Sequence, residues 1–146
     1  MVRRDEIRPG EQAVEPPVAT DAGLTFIGEI RTPWTERTDC PRQGSLDGPL
    51  CRIELFDLWR KALQGVEAHD RLEVLYWLHL ARRDLVLQSP RDQGVRGTFA
   101  LRSPVRPNPI GTSIVKVEGI DGTTLLVRGL DCVDRTPLLD LKPARG

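Results

Sequence analysis

From Leu72 to Ala81 the side chains alternate. Leu72, Val74, Tyr76, Leu78 and Leu80 share one apolar face, while Glu73, Leu75, Trp77 and His79 make the other. A period of two places alternate side chains on opposite faces of a pleated chain, so this stretch is predicted as a central strand with His79 near its end. Shorter strands are predicted at 24–30, closed by Arg31-Thr32-Pro33, and at 53–56, 97–101, 113–117 and 123–127. The Asp121-Gly122 step marks a hairpin turn between the last two. Asp57 can cap one short helix through about Gln64, with Gly65 as its stop. Strands at short spacing with turn signals and one brief helix predict an all-β, mainly β fold, a compact barrel. No internal repeat is visible.

At 146 residues the chain is expected to form one domain and to bury roughly two thirds of its unfolded surface. Residues 1–22 carry Arg3, Arg4, Arg8, Pro9, Gly10, Pro16 and Pro17 with little that can form a core. They read as an N-terminal arm that a second subunit can hold down, and residues 23–146 as the folded domain. Lys plus Arg and Asp plus Glu both total 21, a balance that neither announces nor excludes a nucleic-acid partner. Only Lys61, Lys116 and Lys142 are lysines. The arginine bias suits carboxylate and phosphate recognition, but a GC-rich coding sequence produces it too. Cys40, Cys51 and Cys132 fit neither a disulfide framework nor a zinc pattern, so reduced thiols are expected. The start lacks the apolar core of a signal peptide, and the longest apolar run is too short to span a bilayer. The expectation is a soluble, cytoplasmic protein with no membrane partner.

No G-x-G, P-loop or H-E-x-x-H occurs, so the usual nucleotide loops and a histidine-rich metal centre are missing, and no metal is expected. The most informative stretch is Gly97-Thr98-Phe99-Ala100-Leu101-Arg102-Ser103-Pro104-Val105-Arg106-Pro107-Asn108-Pro109-Ile110-Gly111. Its prolines fix φ and remove donors, giving a stiff, extended loop. Such a loop can hold Arg102, Arg106 and Asn108 in set directions for binding, or can simply connect two strands. Residues 82–106 hold six arginines against Asp84 and Asp92, a surplus suited to phosphates.

This loop resembles the signature of the TsaA-like family, which includes the TrmO-type tRNA methyltransferases. The rest of the family's pattern follows in order. Ile27-Gly28-x-Ile30-x-Thr32-Pro33 comes first, then Pro41-Arg42-Gln43 and Gly65-Val66-Glu67. After the proline-rich loop come Leu130-Asp131 and Thr136-Pro137-x-x-Asp140-x-Lys142-Pro143. The resemblance implies a compact β-barrel that binds S-adenosyl-L-methionine between the subunits of a homodimer. It implies methylation of N6 of threonylcarbamoyl-adenosine beside the tRNA anticodon, with no role for DNA. Carried over by motif, the cofactor-binding positions are Gln43, Gly44, Ser45, Leu46, His79, Leu80, Arg102, Thr112, Arg128, Gly129, Leu130 and Asp131. His79 and Asp131 are the candidate catalytic bases, and Arg106, Asn108 and Arg135 the candidate substrate contacts.

Two departures bear on the acceptor. The family's Asp-Gly-Thr-Pro is Asp134-Arg135-Thr136-Pro137 here, and the tyrosine expected after Lys-Pro is Ala144. The additional C-terminal domain of longer bacterial relatives is also missing. A non-catalytic S-adenosylmethionine sensor, or a methyltransferase for a small molecule, is the alternative expectation.

Overall fold

The computed structural model describes residues 6–91 and 93–145; residues 1–5, 92 and 146, which include Arg3, Arg4 and Asp92, lie outside the described residues. Its strands are β1 (Gln12–Ala13), β2 (Gly28–Arg31), β3 (Cys51–Leu55), β4 (Arg71–Trp77), β5 (Leu85–Gln88), β6 (Arg96–Gly97), β7 (Ile110–Asp121), β8 (Thr124–Arg128) and β9 (Thr136–Pro143). The order β2-β3-β8-β7-β4-β9 closes into a barrel through antiparallel pairing of β9 with β2. Closure removes the edges that an open sheet of this size would expose.

The alternating stretch is β4, central as predicted, with β7 on one side from Arg71↔Lys116 to Trp77↔Ile110 and β9 on the other. Its inward residues Leu72, Val74 and Tyr76 are buried against Ile30, Ile53, Leu55, Val115, Leu125, Val127 and Leu138. Full burial of each such side chain contributes about 1.5–3 kcal/mol. Gly122, at φ +63, turns the predicted β7–β8 hairpin.

Several boundaries differ from the expectation, each for a local reason. β4 ends at Trp77 because the Leu78 N–H donates to Pro109 O, and beyond it Leu80 lies exposed. β2 begins only at Gly28, since β3 gives way at Phe56 to a 3-10 helix, leaving Leu24 and Phe26 exposed. That 3-10 helix, Asp57–Leu63, stands where the short helix is expected, but Phe56 takes its N-cap position and the Asp57 carboxylate pairs with Arg60 instead of capping. The strand predicted at 97–101 is mostly the 3-10 turn Thr98–Ala100, because the buried Thr98 hydroxyl donates to Leu85 O at 2.6 Å. β5 and β9 went unpredicted. Pro137 and Pro143 disguise β9, where Pro137 faces Glu29 of β2 while pairing to β4 starts at Leu138.

A small sheet, β1-β5-β6, joins β1 of the arm to two strands of the connection from β4 to β7. It ties down the arm within its own chain. The Glu11 carboxylate accepts from the N–H groups of Arg8 and Ser89, and the Val14 N–H donates to Asp84 O.

Gly111 lies opposite Tyr76, and a Cβ there would collide with the edge of the tyrosine ring. Gly111→Ala is therefore expected to lower stability by about 1–3 kcal/mol in urea unfolding. Gly119→Ala on the same strand, whose Cβ meets only Leu126 Cδ1 at 3.7 Å, should change it by no more than about 0.5 kcal/mol.

Candidate functional site

The strand register gathers three connections at one end of the barrel. β2, β8 and β4 finish there, at Arg31↔Arg52, Cys51↔Val127 and Trp77↔Ile110, and β9 starts there at Ile30↔Thr136. Segments 32–50, 78–109 and 129–135 thus leave from the same rim. Nearly every residue singled out from the sequence lies on one of them; Arg128 closes β8 and Thr112 lies near the start of β7.

Two of these segments touch through glycines. A Cβ on Gly44 would run into the carbonyl oxygen of Gly129, so backbone meets backbone at that point. Gly129 has φ +122, a left-handed conformation that L side chains avoid, and a Cβ there would lie 2.7 Å from Ile114 O and 3.4 Å from Leu46 Cδ2. Arg128 fastens the contact, its Nη1 donating to Gly48 O at 2.8 Å. The Gly48 N–H donates to Ser45 O at 2.8 Å, and the Asp47 N–H to Ser45 Oγ at 3.2 Å. Gly44, Ser45, Leu46 and Arg128–Leu130 are thereby brought together, with Gln43 exposed beside them. Leu130 and Cys132 turn inward and cap the core, so the Cys132 thiol is raised chiefly by burial, and Cys51 is pushed up to about 11 for the same reason.

Asp131 follows, half-buried, and receives the Tyr76 hydroxyl on Oδ1 at 2.7 Å. No cation pairs with its carboxylate among the described residues. Tyr76 also shares a 2.7 Å hydrogen bond with Ser113. Sequence reasoning placed Tyr76 only on the core face. The missed signal is its hydroxyl, which needs a partner when the ring is buried.

His79 and Leu80 are exposed and line a shallow pocket with Ala81, Pro104, Val133 and Thr136. Arg37, also unforeseen, donates Nη1 to Leu80 O at 2.8 Å. His79 and Asp131, the two candidate bases, share no hydrogen bond. Thr112 sits apart, exposed and donating to Glu73 Oε2 at 3.1 Å. Arg102 is exposed with no hydrogen-bond or ion-pair partner among the described residues.

The other arginines divide. Arg106 braces its own loop, donating to Leu101 O and Ser103 O at 3.0 Å each. Arg83 lies 5.2 Å from the Trp77 ring centroid and donates to Pro107 O at 2.6 Å and to Asn108 Oδ1 at 3.4 Å. Arg82 pairs with Asp84 at 2.6 Å. Arg91, Arg96 and Arg102 stay exposed, and no acidic residue is among the described residues of 85–110. Arg135 is exposed and is the one described non-glycine residue with positive φ, at 68.

The turn that carries Arg135 is held by Asp134, which accepts from Arg31 Nε at 2.9 Å and the Thr32 N–H at 3.0 Å. Burial pushes the Asp134 carboxyl up, but the Arg31 hydrogen bond, the Thr32 N–H and the nearby arginine charges outweigh it and hold it below its ordinary value. A depressed folded-state pKa stabilises above the unfolded value and ceases to as pH falls through the folded one. The melting-temperature gap between wild type and Asp134→Asn should therefore be full at neutral pH and shrink below about pH 4. A gap independent of pH in thermal scans would contradict this.

The family described as the tRNA-methyltransferase O N-terminal domain matches residues 29–145. A Rhizobium radiobacter protein named probable S-adenosyl-L-methionine-binding protein VirR is 61% identical over 146 residues, covering 99% of this chain and 83% of that protein. An S-adenosyl-L-methionine-binding protein of Archaeoglobus fulgidus is 38% identical, with 82% of this chain and 86% of that protein covered. The crystal structure of TrmO from Pseudomonas aeruginosa is similar with a TM-score of 0.71 and 32% identity, over 86% of this chain and 57% of that one. The chain thus spans just over half the length of that solved structure.

Proposed function

The chain belongs to the tRNA-methyltransferase O N-terminal domain family, and on that premise we propose that it is an S-adenosyl-L-methionine-dependent methyltransferase acting on N6 of threonylcarbamoyl-adenosine beside the tRNA anticodon. One observation carries the cofactor reading. Among the described residues Asp131 is a half-buried carboxylate without a paired cation, Arg102 is a guanidinium without a paired anion, and both lie on connections from the same barrel rim. The methionine moiety of the cofactor carries an ammonium and a carboxylate, the complementary pair. The close-packed glycines Gly44 and Gly129 leave backbone groups next to the turn that carries Asp131.

The cofactor supplies an activated methyl group on a sulfonium. What remains for the protein is to bind, orient and exclude water, since in-line placement of the nitrogen accounts for much of the acceleration. In this reading Arg102 and Asp131 hold the amino-acid end, and segment 44–48 with Gly129 and Leu130 holds the nucleoside. His79, exposed in the pocket beside Val133 and Thr136, is the candidate to take a proton from the acceptor. The acceptor side is proposed to include Arg135 and the exposed Arg91 and Arg96, with Arg106 and Asn108 shaping the loop between them. A homodimer is part of the proposal, supported by Ile110 and Ile114, each 41% exposed on the outer face of β7 next to the rim.

S-adenosylmethionine is expected to bind in calorimetry, and Arg102→Ala to weaken it about ten-fold or more, the loss of one charge-assisted contact. Labelled donor incubated with total tRNA should yield methylated threonylcarbamoyl-adenosine after digestion to nucleosides. Binding without transfer to RNA would leave the sensor or a small-molecule methyltransferase. Affinity for tRNA should fall with salt, and charge reversal at Arg91 and Arg96 should flatten the log–log slope by about 1.5, at roughly 0.7–0.9 per phosphate contact. An unchanged slope would remove both arginines from the RNA interface.

A further inference from the structure

The Tyr76 hydroxyl sits at the head of a core face that is otherwise aliphatic. Tyr76 is 2% exposed, and its oxygen lies 2.7 Å from both Ser113 Oγ and Asp131 Oδ1. A phenol has one proton and a carboxylate only accepts, so that proton goes to Asp131 and Ser113 donates to the tyrosine oxygen. Burial first, then the charge of Asp131, pushes the phenol far up, which keeps it a donor wherever the protein is folded.

The two ends of this contact are mounted differently. Tyr76 belongs to β4, paired on both sides, and its ring edge fills the space a side chain at Gly111 would need. Asp131 lies on the connection from β8 to β9, three residues beyond the end of β8 at Arg128. A rigid donor is thus aimed at a carboxylate carried on irregular backbone.

We propose that Tyr76 is a positioning residue for the ligand: by occupying Oδ1 of Asp131 it fixes the carboxylate and leaves Oδ2 to meet the cationic part of a sulfonium-bearing amino acid. A cation is favoured over a ribose hydroxyl because a partly buried carboxylate with no counter-charge among the described residues gains most from one. The inference rests on the reading of Asp131 as a cofactor contact, and one measurement below stands apart from that reading.

Tyr76→Phe keeps the ring and removes only the hydroxyl. By calorimetry with S-adenosylmethionine it is expected to raise Kd about ten-fold. In an Asp131→Asn background the same change should alter Kd by less than about two-fold, because the hydroxyl then has no carboxylate to hold. Ser113→Ala, at the other end of the relay, should weaken binding in the same direction by a smaller factor. It also serves as the test if Tyr76→Phe fails to fold. In the ligand-free protein, Tyr76→Phe should speed hydrogen exchange of the 129–132 amides about five-fold, with β4 unchanged. Wild-type affinity in Tyr76→Phe, or an equal loss in both backgrounds, overturns the proposal. If the wild type itself takes no S-adenosylmethionine, the cofactor reading fails. Exchange then decides alone: faster exchange at 129–132 retains the anchoring role, and unchanged exchange removes it.

Discussion

The approach of Gly44 to the Gly129 carbonyl is the contact on which the geometry of the rim depends. No side chain fits between the two backbones, so segment 44–48 packs directly on the end of β8. Arg128 adds a hydrogen bond to Gly48 O across the same joint. Behind it, Leu130 and Cys132 turn into the core and Asp131 takes the Tyr76 hydroxyl. The rim is in this way an outgrowth of the barrel's hydrophobic packing. Core side chains such as Leu130 and Tyr76 set the direction of site groups such as Asp131.

The arginines show how a charge count differs from an interface. Six arginines between 82 and 106 suggest one uniform basic strip. In the fold, Arg82, Arg83 and Arg106 are spent on Asp84, on Pro107 O and on two loop carbonyls, and so they brace the connection from β4 to β7. What is left for an external anion is Arg91 and Arg102, with the exposed Arg96, whose Nε donates to Gln93 O at 3.2 Å, on a segment with no described acid to offset them. Arg135 lies exposed on the connection from β8 to β9. It adopts a left-handed φ that costs about 1 kcal/mol or more in a residue with a side chain. Asp134, Arg31 and Thr32 hold that turn in place.

The barrel class, the central strand and the Asp121-Gly122 hairpin were legible because periodicity and turn chemistry are local. β9 was not, because its two prolines read as loop and only pairing with β2 shows that Pro137 needs no second partner there. The 3-10 turn at Thr98–Ala100 was hidden as well, since it depends on a hydroxyl reaching Leu85, far along the chain. Family motifs marked residues that the fold gathers at one rim. They did not reveal that Thr112 faces Glu73 on the barrel's outer side, or that Tyr76 stands behind Asp131. Both facts depend on which face of a strand a neighbour presents, and motif spacing carries no such information.

The central claim is that S-adenosylmethionine binds at this rim and nowhere else on the barrel. Amide chemical shifts followed by NMR during titration with the cofactor test it most directly. Large changes are expected at residues 43–48, 79–80, 102 and 128–131, with the far end, 57–68 and 121–124, unmoved. Changes centred on the far end, or none at saturating cofactor, would contradict it.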